Sequence, residues 1–460
     1  MFRRRRVAPV CLAAALLMWE LAGPASIAVA RPRNLLLITL DTMRADRLPA
    51  YGFTGVLTPA LDRIAAEGTV FEDTSAAVPL TLPSHTSLFT GLYPPRHGVR
   101  DNAGAPLSNE FTTLAEVLHE RGLRTAAFVA SSVLAPHRGL EQGFDRYSVG
   151  EPARCSGATP GRRRASEVVD EAVSWLERHD AEPFFAWIHF FDTHRPYSLP
   201  ADYKDRYFDP YLAAIAYEDS QIARVIGYLE TQGLLTSTLI VVAGDHGESL
   251  GDHGEQSHGI FLYQETLRVP FMVRGPGVSP RRVTTVARLV DVMPTVLDLF
   301  GVSTSGLDGV SLARVGTRSG SGPHLEVYAE SMYPRRFGWA PLRSLRADRY
   351  KVIDAPRAEL YDLISDPGEE RDVLAEHPTV AAAMLHRLRS FESGQEPPAT
   401  PGAEVDKAVL DRIASLGYVG SIAASPSTGQ QPDPKDRIAV FNKMTSLQWE
   451  NTERSRALCR

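Results

Sequence analysis

Three apolar runs constrain this chain more than any other feature. Asn34–Leu40 (NLLLITL), Phe184–Phe191 (FFAWIHFF) and Leu239–Ala243 (LIVVA) are continuous rather than alternating, and polar residues follow each one. A strand that is apolar on both faces must be covered on both faces, as in the middle of a parallel sheet. Helical patterns lie between the runs. Thr58-Pro59 supplies an N-cap and an N1 proline for a helix ending near Gly68. Leu114–Arg121, Tyr211–Gln232 and Val290–Phe300 read as helices, and Arg124–Ala130 as a further strand. Ser166–His179 carries Val169, Ala172, Val173 and Leu176 at helical spacing. This alternation predicts an α/β fold with a doubly wound, mostly parallel central sheet. From about His324 the texture becomes strand-rich in short pieces (LRADRYKVI, AELYDLISDPGEERDV), which predicts a small C-terminal α+β subdomain. The expected organisation is a leader at 1–30, a catalytic domain at 31–323, the subdomain at 324–393, and at 394–460 a Pro/Gly/Ser/Ala-rich linker with a short helix at Asp436–Met444.

The leader reads as a secretory signal peptide. Arg3–Arg6 are its basic region, Val10–Leu21 its apolar run, and Ala28-Val29-Ala30 its cleavage site. The competing reading is an uncleaved anchor, for which the run is short. Cys11 lies inside the run rather than just after it, which argues against a lipoprotein signal. The expected location is therefore secreted or periplasmic, with no membrane helix in the mature chain. Cleavage removes four arginines and one glutamate, so the formal charge moves from −6 to −9. That acidity argues against nucleic acid as a partner. Cys155 and Cys459 remain, too few and too far apart for a disulfide framework, and no C-x-x-C pair suggests zinc.

Ligands in open α/β sheets gather beyond the carboxyl ends of the strands. Asp41 follows the first run, and Asp245-His246 follow the third. Thr81 precedes an expected helix at Ser84–Phe89, whose first turn would offer backbone N–H groups to an anion. Two carboxylates, an imidazole and a hydroxyl make a site for a divalent cation, with zinc or manganese favoured by the mixed donors and calcium still open. Singly, each has a plainer explanation: Asp41 as an N-cap or turn residue, DHGE as a polar turn.

Four segments together, LLLITLDTMRAD, TLPSHTSLFTGLYPPRHGV, VVAGDHGESLGDHG and LYQETLRVPFMVRGPG, resemble the sulfatase family of the alkaline-phosphatase superfamily in content and order. The likeness spans roughly 33–375 and extends to ELYDLISDPGEERDV. It implies an alkaline-phosphatase-like sheet, metal ligation by Asp41, Asp245, His246 and Thr81, and a nucleophile at position 81. The departures concern the chemistry. The family's formylglycine cysteine is Thr81 here, its second aspartate is Thr42, and its motif arginine is His85. Its two sulfate-clamping lysines have no counterpart; Phe128–Leu140 has none, and His258 stands near the other position. In this respect the chain resembles the phosphoethanolamine transferases and lipoteichoic acid synthases, which pair a threonine nucleophile with histidines. That likeness implies catalytic roles for His194 in FFDTHRPY and His258 in SHG, against the plainer reading of structural histidines. His85 and Arg44 are candidates for substrate contact; Arg44 could instead orient Asp41, and a surface role is equally open for it. Phosphodiesterases of the superfamily also use threonine and hold a second metal with an Asp and two His; that likeness would allow a second site at Asp192, His194 and His258, although their spacing fits poorly and one ion is preferred. His253 and Glu255 read as loop residues.

A threonine hydroxyl is a weak nucleophile until its proton is removed, and a bound metal can do this. Formylglycine releases sulfate by re-forming its carbonyl, an exit that threonine lacks. Threonine phosphate esters have no such difficulty, so the chemistry favours phosphoryl groups. The expected function is a metal-dependent ester hydrolase leaning to phosphoester or phosphotransfer chemistry. A sulfatase without formylglycine and a catalytically silent metal-binding protein are the alternatives. The expected partner is a small-molecule, glycan or lipid ester. DRIASLGYVG and DPKDRIAVFNKM resemble the junction to tetratricopeptide repeats, but no 34-residue repeat follows, so no protein partner is indicated.

Overall fold

The computed structural model describes residues 31–149, 161–316, 323–393 and 431–458. The leader, Cys155, Cys459, most of the expected linker and most of the Glu151–Arg164 loop lie outside the described residues. Among the described residues the chain from Arg31 onward clusters as one compact unit, and no helix is long and apolar enough to cross a membrane.

The three apolar runs are β1 (Asn34–Leu40), β5 (Phe184–Phe190) and β6 (Thr238–Gly244), with every residue buried. β1 lies between β5 and β6, parallel to both. Leu40 is level with Phe190 on one side and Gly244 on the other, so the residues after all three strands emerge at one rim. β3 (Arg124–Val129) and β4 (Arg146–Ser148) extend the parallel sheet beyond β5. Side chains alternate across β5. Phe184 meets Trp175 of the Ala165–His179 helix on one face. Trp187 meets Phe89 of the Thr81–Thr90 helix on the other, with centroids 4.6 Å apart. Helices thus cover both faces, and the α/β, doubly wound, mostly parallel expectation holds.

The far side of the sheet was not anticipated. β7 (Arg268–Arg274) runs antiparallel to β6, and β2 (Thr69–Ser75) antiparallel to β7. The short strands β8 (Arg281–Val283) and β9 (Ala287–Arg288) pair with β2. Pro270 obscures β7 in the sequence, because proline is rare inside a sheet. It is accommodated where the β2–β7 register shifts between Phe71 and Thr74. A separate antiparallel sheet follows: β10 (Val327–Ser331), β11 (Leu342–Ala347), β12 (Tyr350–Asp354) and β13 (Glu359–Asp362), succeeded by the Pro378–Ser393 helix. The final helix runs Ile438–Leu458, longer than its sequence pattern suggested. Phe441 packs it against Tyr333 and Phe337.

Candidate active site

Asp41, Thr81, Asp245 and His246 converge at the rim beyond β1 and β6, and all four are wholly buried. Ligand atoms of Asp41, Asp245 and His246 lie within 4.8 Å of one another, a grouping that could hold a metal ion. Thr81 Oγ1 donates to Asp41 Oδ2 at 3.1 Å and lies 3.4 Å from His246 Nε2. His246 Nδ1 donates to the Gly247 carbonyl at 2.9 Å, which leaves the Nε2 lone pair facing the threonine. Asp245 Oδ1 accepts the backbone N–H groups of His246 and Thr42, at 2.7 and 3.3 Å. Asp41 Oδ1 and Asp245 Oδ2 are buried without a hydrogen-bond donor. Two orphaned carboxylate oxygens beside an imidazole lone pair and a hydroxyl fit a divalent cation, which supplies the charge they lack. Burial raises the Asp41 carboxyl, and burial plus the neighbouring Asp41 charge raises Asp245 well above the usual range.

The helix bearing Thr81 begins at residue 81 rather than at Ser84. Pro83 is tolerated there because first-turn N–H groups have no intrahelical acceptor. This corrects the expected anion-binding turn. The Leu82 N–H is taken by Asn102 Oδ1, residue 83 has none, and the Ser84 N–H bonds the Leu80 carbonyl. Ser84 Oγ ties the helix to the Asp245 carbonyl at 2.5 Å. Thr42, where the family carries an aspartate, adopts φ 53°. That is an outlier for a β-branched residue, and such strain is concentrated at functional sites.

A stack of histidines forms the outer wall. His258 lies 4.5 Å from His246 and 5.1 Å from His194, centroid to centroid. Burial holds His258 down at about 4 and pushes His194 well below its ordinary value, so both rings are neutral. His258 Nδ1 donates to Glu248 Oε1 at 3.2 Å, and burial pushes that carboxyl up to about 8.

Two candidates for substrate contact are placed elsewhere. His85 is fully buried behind Thr81: its Nδ1 donates to the Thr81 carbonyl at 2.8 Å, and its Nε2 accepts from Thr39 Oγ1 at 3.0 Å. With both nitrogens engaged by protein, it braces Thr81. Arg44 is likewise committed, to Asp46 and Asp252 at 2.7 Å each and to the Glu248 and Ser249 carbonyls at 3.2 Å. It fixes the loop after β6. Asp192 accepts the Ala165 N–H at 2.9 Å and is not in the metal-ligand cluster found among the described residues. His253 bonds Glu265 and the Glu369 carbonyl, and Glu255 accepts the Ile260 and Phe261 N–H groups, both as loop residues.

Three contributors escaped the sequence reading. His189 Nε2 lies 3.5 Å from Asp41 Oδ2, and its Nδ1 accepts the Ala130 N–H. A histidine interrupting an apolar strand was the available signal. Glu248, in the quoted GDHGE, holds His258. Glu218 accepts from Asp192 and Thr193 backbone N–H groups under the rim, and Thr193 Oγ1 donates to the Asp41 carbonyl. Nothing in the sequence distinguishes Glu218 from other helix residues.

The sulfatase family model matches residues 33–302, more than half of the chain. A second model, the C-terminal part of N-sulphoglucosamine sulphohydrolase, matches residues 251–393. A Delta 4,5-hexuronate-2-O-sulfatase of Bacteroides thetaiotaomicron is 24% identical, over 78% of this chain and 89% of its own. A choline-sulfatase of Rhizobium meliloti is 26% identical, over 78% of this chain and 86% of its own. Among solved structures, the phosphonate monoester hydrolase of Agrobacterium radiobacter superposes with a TM-score of 0.66 at 23% identity, covering 79% of this chain and 96% of that one. The chain belongs to the sulfatase family of the alkaline-phosphatase superfamily and is a sulfatase-like hydrolase of sulfuric or phosphoric esters.

Proposed function

We propose that this hydrolase uses Thr81 as its nucleophile, acts with a divalent metal, and prefers phosphoryl esters. The observation that carries the reading is the Thr81 hydroxyl, buried and hydrogen-bonded to Asp41 within the cluster of Asp41, Asp245 and His246. Asp41, Asp245, His246 and Thr81 would hold the ion, which supplies positive charge that acidifies the hydroxyl and offsets charge on the transferred group. Thr81 Oγ1 attacks phosphorus, forming an O–P bond as the bond to the leaving oxygen breaks. His258 or His194, both neutral rings at the outer wall, would take up the proton that Thr81 releases and pass it to that oxygen. Water then attacks the threonine phosphate, the Thr81–phosphorus bond breaks, and the hydroxyl is restored. His85 keeps Thr81 in place through its bond to the Thr81 carbonyl, and His189 packs beside Asp41. The proposed division assigns this chemistry to residues 31–323, with 324–393 as a supporting subdomain. The proposed signal peptide makes the enzyme secreted or periplasmic.

Sulfate-ester hydrolysis is the second reading, favoured by relatives whose names specify sulfatases. It requires a threonine sulfate to be opened at sulfur. The deciding experiment compares the mature chain with Thr81→Ala and Thr81→Ser, metal-stripped and reloaded with zinc, manganese or calcium, on matched aryl phosphate monoester, phosphodiester and sulfate. Phosphate turnover reduced about 10³-fold or more in Thr81→Ala and retained in part by Thr81→Ser is expected. Undiminished turnover in Thr81→Ala refutes the nucleophile. Threonine-dependent sulfate turnover refutes the phosphoryl preference.

A further inference from the structure

Beside His194 the chain turns sharply, and Arg162 fastens the turn. Its guanidinium donates to the Phe191, His194 and Pro196 carbonyls at 2.6, 2.9 and 2.8 Å. One stiff turn therefore gives His194 to the reacting centre and the next three residues to a neighbouring cavity. The cavity measures about 470 Å³. Pro196, Tyr197, Leu199 and Trp449 wall it, and Arg195 and Lys204 supply charge. No carboxylate lines it among the described residues. The Arg195 guanidinium lies 5.7 Å from the Trp449 ring centroid and 5.9 Å from that of Tyr197.

Trp449 comes from the final helix, whose place is set by other contacts. Asn442 takes the Gly254 carbonyl at 2.7 Å and the Gln256 N–H at 3.0 Å, and Phe441 is buried. Seven residues on from Asn442, about two helical turns, the indole reaches the cavity. Trp449 Nε1 is buried there without a hydrogen-bond acceptor, a situation that a ligand's oxygen would relieve. The same helix thus grips the loop that carries His258 and closes the cavity next to His194.

We infer that this cavity receives the non-reacting part of the ester, and that Trp449 is its specificity-determining wall. The inference rests on the reading of the neighbouring centre as ester-hydrolysing. A cavity of this size suits one ring with its substituents rather than a polymer segment. Its aromatic walls suit a flat or one-face-apolar ring, and its two cations with no acid suit a ring that carries a carboxylate. The indole N–H calls for an acceptor on that ring. An arene and a uronic sugar both meet this description.

The test measures calorimetric binding of 4-hydroxybenzoate to the mature chain. This is the alcohol that either a phosphate or a sulfate ester would release, so the readout does not depend on which ester is cleaved. Glucuronate is the sugar arm and 4-methylphenol the uncharged control. At least one of the two acids is expected to bind more tightly than 4-methylphenol, and to weaken about tenfold in Trp449→Ala. Trp449→Phe, which keeps a ring and loses the N–H, is expected to weaken it about threefold. Which acid responds identifies the source of the ring. Thr81→Ala is expected to bind as wild type does, so failure of the nucleophile and failure of the cavity are read separately. Equal affinity across the wild type and both Trp449 variants overturns the inference. So does the absence of binding by either acid, or a preference for 4-methylphenol.

Discussion

Replacing Asp245 by asparagine should stabilise the metal-free protein and remove its response to metal. Asp41 and Asp245 are both fully buried, and each has an oxygen with no donor. Burial raises both carboxyls, and the charge of Asp41 raises Asp245 further. A carboxyl raised in the folded state contributes most below its unfolded value of about 3.9, and that contribution is lost as pH rises towards the folded value. At neutral pH the metal-free site therefore carries an unpaired buried charge or a retained proton. Asparagine keeps an acceptor for the His246 and Thr42 N–H groups and removes the like charge. Relief of an unpaired buried group is worth on the order of 1–3 kcal/mol. In the wild type, a cation at 100 times its Kd contributes about 2.7 kcal/mol. Unfolding entropy of about 2.1 cal/mol/K per residue makes 1 kcal/mol roughly 1 °C for a chain of this length. Scanning calorimetry after dialysis against chelator should place Asp245→Asn about 1–3 °C above wild type at pH 8. The gap should narrow towards pH 4. Saturating manganese or zinc should raise wild type by about 3 °C and leave the variant unmoved. A metal-free variant that melts below wild type at pH 8, or an equal metal shift in both proteins, would refute the electrostatic account of the site.

Three further outcomes follow from other parts of the fold. His189→Phe removes the imidazole beside Asp41 and should weaken metal affinity by about 10–100-fold in a calorimetric titration, since orienting partners of metal ligands carry effects of that size; unchanged affinity would make His189 mere filling. Burial pushes His253 down, but the Glu265 carboxylate at 2.8 Å and the Glu369 carbonyl outweigh it and hold the imidazole up at about 9. Its stabilisation is full below about pH 6.5 and is lost as pH rises through 9, so the melting gap between wild type and His253→Gln, on the order of 1–3 kcal/mol, should be widest near pH 6 and close by pH 10. Lys351 meets Glu369 at 2.8 Å with both side chains buried, and Lys351→Met should cost about 3–5 kcal/mol by stranding the carboxylate, while a double variant with Glu369→Gln should recover most of it in chemical denaturation.

The sequence made the reacting centre legible because parallel strands in register deliver their following residues to one rim. Leu40, Phe190 and Gly244 are level, so reading three apolar runs was enough to bring Asp41 and Asp245-His246 together. The same logic hid the supports. His189 sits within a run whose apolar character is what identified the strand, and Glu218 lies on a helix with nothing local to mark it. Arg44 and His85 show the converse. Both stand beside site residues, and both spend their polar atoms on protein: Arg44 on Asp46, Asp252 and two carbonyls, His85 on Thr39 and the Thr81 carbonyl. Adjacency in sequence to a site residue is therefore weak evidence of contact with a ligand, because a buried guanidinium or imidazole must first satisfy its own donors and acceptors. At position 85 this has a chemical consequence. An arginine there could carry a fixed charge towards a bound anion, whereas the neutral, doubly bonded His85 contributes only position. Cationic side chains stand instead at the turn after β5, where Arg195 follows His194 in the chain and lines the neighbouring cavity together with Lys204. Thr81 and His85 are thus structurally linked, since the imidazole hydrogen-bonds the Thr81 carbonyl and braces the start of the helix that carries both.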